Sequence, residues 1–432
     1  MRDESVAGVR EGYTGRVLVG LDRLALALAS ASGGSAGDLA PAALDRLLAE
    51  LRSRRVGLLC HPASVDRQLV HARHVLQRLG ARITMVFGPE HGYGGEAQDL
   101  VGVPHARDPS GVPIRSLYGS RFEELSPAAE DLAEIDLLLV DLQDVGARYY
   151  TFVWTAVLAT RACARAGVPV VVLDRPNPIG ASPAHVEGRR QADAYRSFVG
   201  LEPIPVRHGL TLGEIVAWRA EVEGVAPELV RIVPALGLPA PADASAWDRP
   251  FVMPSPNMPT LETALVYPGA CLVEGTNLSE GRGTTRPFEL FGAPWLDGAR
   301  LADDYASLRL PGSHARAVTF RPTFQKHAGQ ICGGVQVHVL DRATFRPFAS
   351  YVALLTLVHR QAPERFVFRT EPYEFRDDVP AFDLLTGSAE ARERILRGES
   401  PRDVAEAMST VDEADRAIVV DAREAGRRRR VT

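Results

Sequence analysis

The residues able to do acid–base or hydrogen-bonding chemistry gather after a series of short apolar runs. His61 follows VGLLC, and Gly88-Pro89-Glu90-His91-Gly92 follows ITMVF. Asp141, Gln143, Asp144 and Arg148, then Tyr149-Tyr150-Thr151, follow IDLLLV. Asp174, Arg175 and Asn177 follow VPVVVL, and Arg207 and His208 follow PIPV. Singly, each is as well explained by a helix cap or a structural ion pair. Five in succession point to one common edge, because ligands of open α/β sheets sit outside the carboxyl ends of the strands. A carboxyl among apolar or acidic neighbours can keep its proton near neutral pH and act as a general acid. Glu90, between Pro89 and His91 at a strand end, is the best placed for that role.

A second set lies further along: Ser255-Pro256-Asn257-Met258-Pro259, then Glu274-Gly275-Thr276-Asn277, then Glu280-Gly281-Arg282-Gly283-Thr284-Thr285. Glycines interleaved with carboxylates, arginine and hydroxyls suit a loop that hydrogen-bonds a polyhydroxy ligand. Glu274 and Glu280 are candidates for a second carboxyl, since two carboxyls flanking a glycosidic bond are the usual hydrolase arrangement. The candidate binding residues are His61, His91, Asp141, Gln143, Asp144, Arg148, Tyr150, Asp174, Asn177, His208, Asn257, Thr276 and Arg282.

The elements that must position these groups are legible between residues 51 and 180, where continuous apolar runs alternate with helical stretches. That rhythm predicts a parallel sheet covered on both faces. Thr211 and Glu214 fit a capping box that starts a helix, and LVRIV reads as a sixth strand. The expectation is a doubly wound α/β domain. Prolines crowd FVMPSPNMPTLETALVYPG, which reads as a crossing into a smaller α+β domain containing the strand GGVQVHVLD. The expected domains are 1–267, with an N-terminal extension, and 268–432. LDRLALALASASGGSAG reads as a helix followed by a loop, and the tail REAGRRRRVT as a solvated, frayed end.

Composition excludes several classes. The 432 residues are 46 % apolar and 24 % charged, which rules out a mostly disordered chain. No run approaches ~18 apolar residues, so a membrane partner is not expected. The net charge of −5 argues against gripping nucleic acid. Cys60, Cys163, Cys271 and Cys332 form no CxxC and read as buried hydrophobes in a reducing compartment. The first residues lack the apolar core of an export signal, so the cytoplasm is the expected location. Of the 49 basic residues, Lys326 alone is a lysine. A genome that writes Arg for Lys accounts for the bias, and chance retention is the simpler account of Lys326.

Four motifs tempt and fail. Gly33-Gly34-Ser35-Ala36-Gly37 matches GxSxG but follows a helical segment where the elbow needs a strand. Gly92-Tyr93-Gly94-Gly95-Glu96-Ala97 matches GxGxxA, yet Pro104, Pro109 and Pro113 follow where a helix should open. His71 and His74 share a helix with Arg73 and Arg78 on what reads as its solvated face. Asn277-Leu278-Ser279 is a sequon only in a secretory setting. Neither a cofactor nor a metal is expected.

GPEHG (88–92), DLQDVGARYYT (141–151), DRPNP (174–178), RHGLTLGE (207–214), PSPNMPT (254–260) and EGTNLSEGRGTTRPFELFGAPW (274–295), with KHAGQICGGVQVHV (326–339) and FDLLTG (382–387), together resemble the NamZ-type exo-β-N-acetylmuramidase family. The resemblance runs from about residue 14 to the end of the chain. It implies a Rossmann-like domain and a smaller one with the active site in the cleft between them. It also implies release of N-acetylmuramic acid (MurNAc) from the non-reducing ends of peptidoglycan fragments. The glutamate of the PEHG-like motif falls on Glu90, and the EGT and SEGRGT positions fall on Glu274, Thr276, Glu280 and Arg282. Arg148, Arg175 and Arg282 are candidates for the lactyl carboxylate of that sugar, in competition with pairing to Asp144 or Asp174. Tyr149, Tyr150 or Trp154 would wall the sugar ring, although Trp154 reads better as core. The competing readings are a non-catalytic sugar or muropeptide binder in the same cleft and a nucleotide-dependent enzyme. A metal hydrolase built on His61, Glu90 and His91 lacks a recognisable ligand spacing.

Overall fold

The computed structural model describes residues 17–31, 42–237 and 243–431. The GxSxG string lies outside the described residues. Along the chain run α1 (Gly20–Ala31), α2 (Ala42–Ser53), β1 (Val56–Cys60), α3 (Ala72–Arg78), β2 (Ile83–Gly88), β3 (Ala106–Arg107), β4 (Pro113–Ser116), α4 (Ala129–Leu132) and β5 (Leu137–Asp141). Then follow α5 (Phe152–Ala166), β6 (Val170–Leu173), α6 (Leu212–Val222), β7 (Val230–Val233) and α7 (Leu261–Ala270). The remainder comprises β8 (Leu290–Ala293), α8 (Gly298–Ser307), β9 (Ser313–Phe320), β10 (Cys332–Val339), α9 (Pro347–Gln361), α10 (Ala381–Thr386), α11 (Glu390–Leu396), α12 (Pro401–Ser409) and α13 (Glu413–Arg428).

The large sheet has the order β3-β4-β2-β1-β5-β6-β7, parallel except for the β3–β4 pair. Its six parallel strands thus follow the 3-2-1-4-5-6 order of a doubly wound sheet, which reverses direction between β1 and β5. Every residue of β1, β5 and β6 is buried. Helices α1, α2 and α3 cover one face, and α5 and α6 belong to the core on the other. This burial on both faces is why those strands read as unbroken apolar runs. A second sheet, β8-β10-β9, is antiparallel. The core beneath α5 is continuous with the one that holds Phe291, Tyr351 and Leu355 of that second unit.

Three expectations change. PIPV is no strand; Arg207 beside it makes isolated bridges to Ala147 and Glu187. The third parallel strand of the order is β4, whose proline stands at its first position, where no ladder donor is needed. The arginine-rich tail is ordered. Helix α13 lies on α6, and Arg429 O and Val431 N pair with Ile232 of β7 (both 2.8 Å), covering the edge of the sheet. Arg428 pairs with Glu221, and Arg429 donates to Val225 O (2.7 Å). Among the described residues, no helix is long and apolar enough to cross a membrane.

Candidate active site

The loops after β2 and β5 meet the 254–258 and 274–288 segments and the 373–374 loop around one small pocket of about 40 Å³. The carboxyls of Glu90, Asp99, Glu274 and Glu374 face it, together with the Arg282 guanidinium, Asn257, His91 and the rings of Tyr149, Tyr150, Tyr267, Phe288 and Tyr373. Three of these residues, His91 (φ 69°), Phe288 (φ 65°) and Glu374 (φ 47°), hold left-handed backbone conformations. Such strain costs about 1–3 kcal/mol each and persists where the surroundings dictate it.

Glu90 is buried at the end of β2. Thr151, which directly precedes α5, donates its hydroxyl to Glu90 Oε2 (2.6 Å), fixing one carboxyl oxygen. Glu374 comes from the other side of the pocket on a loop anchored by Phe375, whose ring meets Tyr118, Phe122 and Phe198. Arg376 secures that loop by donating to Arg196 O (2.6 Å) and Ala194 O (3.1 Å). Burial, then the charges of Glu90, Glu274 and Asp99, push the Glu374 carboxyl well above the usual range, against a weak donation from Tyr118 (3.4 Å). Burial also raises Glu274, although Arg282 opposes it and Tyr373 Oη donates to its Oε2 (2.6 Å).

Arg282 is saturated by acids: Nη2 meets Glu274 (2.7 Å), Nε meets Glu280 (3.1 Å) and Nη1 meets Asp99 (3.1 Å). Glu280 lies behind the wall. Burial pushes its pKa up, but Lys326 and Arg282 outweigh burial and hold it below the usual range. The lone lysine is therefore built in. Its ammonium reaches the carbonyls of Val273 (3.2 Å), Glu274 (3.3 Å) and Leu278 (3.0 Å) and the Glu280 carboxylate (3.0 Å). An ammonium concentrates its three N–H donors at one point among these oxygens, where a planar guanidinium would spread its donors along a rigid fork.

Glu90, His91, Tyr150, Asn257, Glu274 and Arg282 are thus brought together at the pocket. The other candidates are not on its wall. His61 is sealed beneath it: Gln143 N donates to Nε2 (2.9 Å), Nδ1 faces Pro254 O (3.1 Å), and burial depresses its pKa to about 3. The ring is neutral and ties the 254 loop to the sheet. Asp141 pairs with Arg175 beneath the same edge. Gln143 donates to Asp144 O (2.8 Å) and Pro176 O (3.1 Å), and Asp144 accepts from Gly146 N (2.7 Å) and faces His208 at 3.4 Å. Arg148 donates to Arg189 O (2.7 Å), Ile204 O (3.1 Å) and Leu385 O (2.7 Å), and burial lowers its pKa to about 10. Asp174 caps α6, Asn177 donates to Leu210 O (3.1 Å), and Thr276 donates to Val273 O (2.8 Å). These groups are held by backbone partners and ion pairs because they shape loops that carry no regular hydrogen-bond ladder. Trp154 is core, its Nε1 donating to Arg148 O (2.7 Å).

Sequence reasoning passed over Asp99, Tyr267, Phe288, Tyr373 and Glu374, whereas Ser255 stands in the 255–259 string it singled out. A signal existed for Glu374: a glutamate set between Tyr373 and Phe375 has desolvating neighbours on both sides. All four cysteines are free and buried, and no metal-binding cluster of His, Cys, Asp and Glu occurs among the described residues. The GxGxxA glycines run into a loop that leads to β3, with no helix opening there.

Comparison with known proteins places this geometry. The N-terminal model of the exo-β-N-acetylmuramidase NamZ family matches residues 56–262, and its C-terminal model matches residues 265–414. The peptidoglycan β-N-acetylmuramidase NamZ of Bacillus subtilis (strain 168) is 40 % identical over 358 residues, which span 82 % of this chain and 83 % of that protein. A crystal structure of a DUF1343 family protein from Bacteroides fragilis NCTC 9343 superposes with a TM-score of 0.76 at 28 % identity, covering 96 % of this chain and 98 % of that one. A second DUF1343 structure from the same organism gives 0.67 at 25 % identity, covering 95 % and 98 %. With both family models matched in order along one chain, the protein belongs to the exo-β-N-acetylmuramidase NamZ family of glycoside hydrolases, and its substrate is a carbohydrate.

Proposed function

We propose that the chain removes N-acetylmuramic acid from the non-reducing end of peptidoglycan fragments, with Glu90 as general acid and Glu374 as its partner. The observation that carries this reading is the pairing of two pocket carboxyls, one fixed by Thr151 and the other pushed up by burial and by the charge of the first. As general acid, Glu90 gives a proton to the glycosidic oxygen as its bond to the anomeric carbon breaks, and the leaving sugar departs as an alcohol. Water adds to the anomeric carbon, and its released proton returns to the pair through Glu374. Aromatic rings of Tyr150, Tyr267 and Phe288 supply the apolar wall for the sugar ring. Glu280, paired with Lys326, is structural.

The test is release of free MurNAc from the MurNAc–GlcNAc disaccharide. Glu90→Gln is expected to lower kcat at least ~100-fold, the lower end of general acid–base contributions, with an unchanged melting temperature. Full turnover by that variant removes Glu90 from the mechanism.

A further inference from the structure

The pocket is too small for its substrate as it stands. Sites for small ligands occupy roughly 300–1,000 Å³, against about 40 Å³ here. The loop between β2 and β3 lines one side of it through His91 and Asp99. This segment carries no helix or strand from residue 92 to residue 103, and it turns through Gly92 (φ 80°) and Gly95 (φ 69°). Leu100 and Val101 at its crest are exposed. Two consecutive side chains reach down from it. Gln98 presents its amide carbonyl to Asn257 Nδ2 (2.7 Å), and Asp99 presents its carboxylate to Arg282 Nη1 (3.1 Å).

Those two groups, an amide carbonyl next to a carboxylate, match two neighbouring groups of a muramic sugar: the 2-acetamido carbonyl and the carboxylate of the lactyl ether on the adjacent ring carbon, of which the second sets it apart from N-acetylglucosamine. We propose that Gln98 and Asp99 are an internal stand-in for the ligand, and that the terminal MurNAc displaces them, its acetamido oxygen taking Asn257 and its carboxylate taking Arg282. This rests on the substrate assigned above. Of the three acids around Arg282, Asp99 is the exchangeable one. Glu280 is held by Lys326 and Glu274 by Tyr373, whereas among the described residues the Asp99 carboxylate has beyond Arg282 only the Gln325 amide (2.9 Å). Exchanging one carboxylate for another leaves the charge around the buried guanidinium unchanged, so no unpaired charge is created. A sugar without the lactyl group cannot make that exchange, and Arg282 with Asp99 thereby becomes a specificity filter.

Self-occupancy lowers apparent affinity by the fraction of protein whose site is free. The experiment is calorimetric titration of MurNAc and of N-acetylglucosamine (GlcNAc), which carries the acetamido but not the lactyl group, into the wild type, Asp99→Ala and Gln98→Ala. Asp99→Ala is expected to tighten MurNAc about fivefold or more and leave GlcNAc unchanged. Gln98→Ala is expected to tighten both. MurNAc affinity unchanged or weakened in Asp99→Ala, both sugars shifting equally in that variant, or no binding of MurNAc to any of the three proteins overturns the stand-in. Turnover of MurNAc–GlcNAc by the wild type is read separately, so the substrate assignment survives or fails independently.

Discussion

Lys326 shows how one side chain can be decided by its four neighbours. Its ammonium bonds three carbonyls of the 273–278 turn and the Glu280 carboxylate, and through Glu280 it steadies Arg282 and Glu274. In a chain that otherwise uses arginine throughout, geometry explains the exception better than chance retention. Lys326→Arg is expected to leave at least one of these oxygens unsatisfied and to cost about 1–3 kcal/mol in denaturant unfolding. Lys326→Met also strips Glu280 of a buried partner and should cost more, about 3–5 kcal/mol. Equal midpoints for wild type and Lys326→Arg would return the residue to composition bias.

Helix α6 illustrates the scale of elements. Its capping box is complete, with Glu214 N donating to Thr211 Oγ1 (3.1 Å) and Thr211 N donating to Glu214 Oε2 (3.0 Å). Asp174, at the end of β6, extends the cap by accepting from Thr211 Oγ1 (2.6 Å) and Gly213 N (2.9 Å). A side chain at Gly213 would place its Cβ 2.6 Å from the Asp174 carboxyl carbon, so only glycine admits this approach. Burial, first among the causes, raises the Asp174 pKa to about 7. A carboxyl whose folded pKa is raised binds more protons folded than unfolded. Its contribution to stability is complete below its unfolded pKa of about 4 and is lost as pH rises towards 7. The midpoint difference between wild type and Asp174→Asn should therefore move against the wild type by up to a few kcal/mol between pH 4 and pH 7, then level off. A difference that stays flat across that window contradicts the assignment.

At the scale of the molecule, one continuous core joins the large sheet to the second unit, and the chain end returns to close the first. Helix α13 buries Val419, Ala422 and Ala425, and Val431 pairs with the β7 edge. A chain ending at residue 411 loses that cover from α6 and from the sheet edge. It is expected to lose more than about 3 kcal/mol, a figure that follows from the apolar area re-exposed, and to self-associate through β7. Light scattering and a melting curve would show both, and an unchanged midpoint would mean that the tail is ornamental.

Local pattern determined five of the six parallel strands, the start of α6 and the polar loops after VGLLC, ITMVF, IDLLLV and VPVVVL, because burial on two faces and capping leave marks within a few residues. The strings at 88–92 and 274–285 likewise announced the two sides of the cleft. Tertiary structure alone decided which of those polar groups face the pocket. His61, Asp141, Asp144, Arg148, Asp174 and His208 belong to the right edge but are consumed by neighbours that hold irregular loops together. Asp99 and Glu374 sit in segments with no periodicity and reach the pocket from positions 275 residues apart. The physical reason is that pairing and desolvation depend on distances of a few ångströms between groups far apart in the chain, and no local pattern encodes those distances.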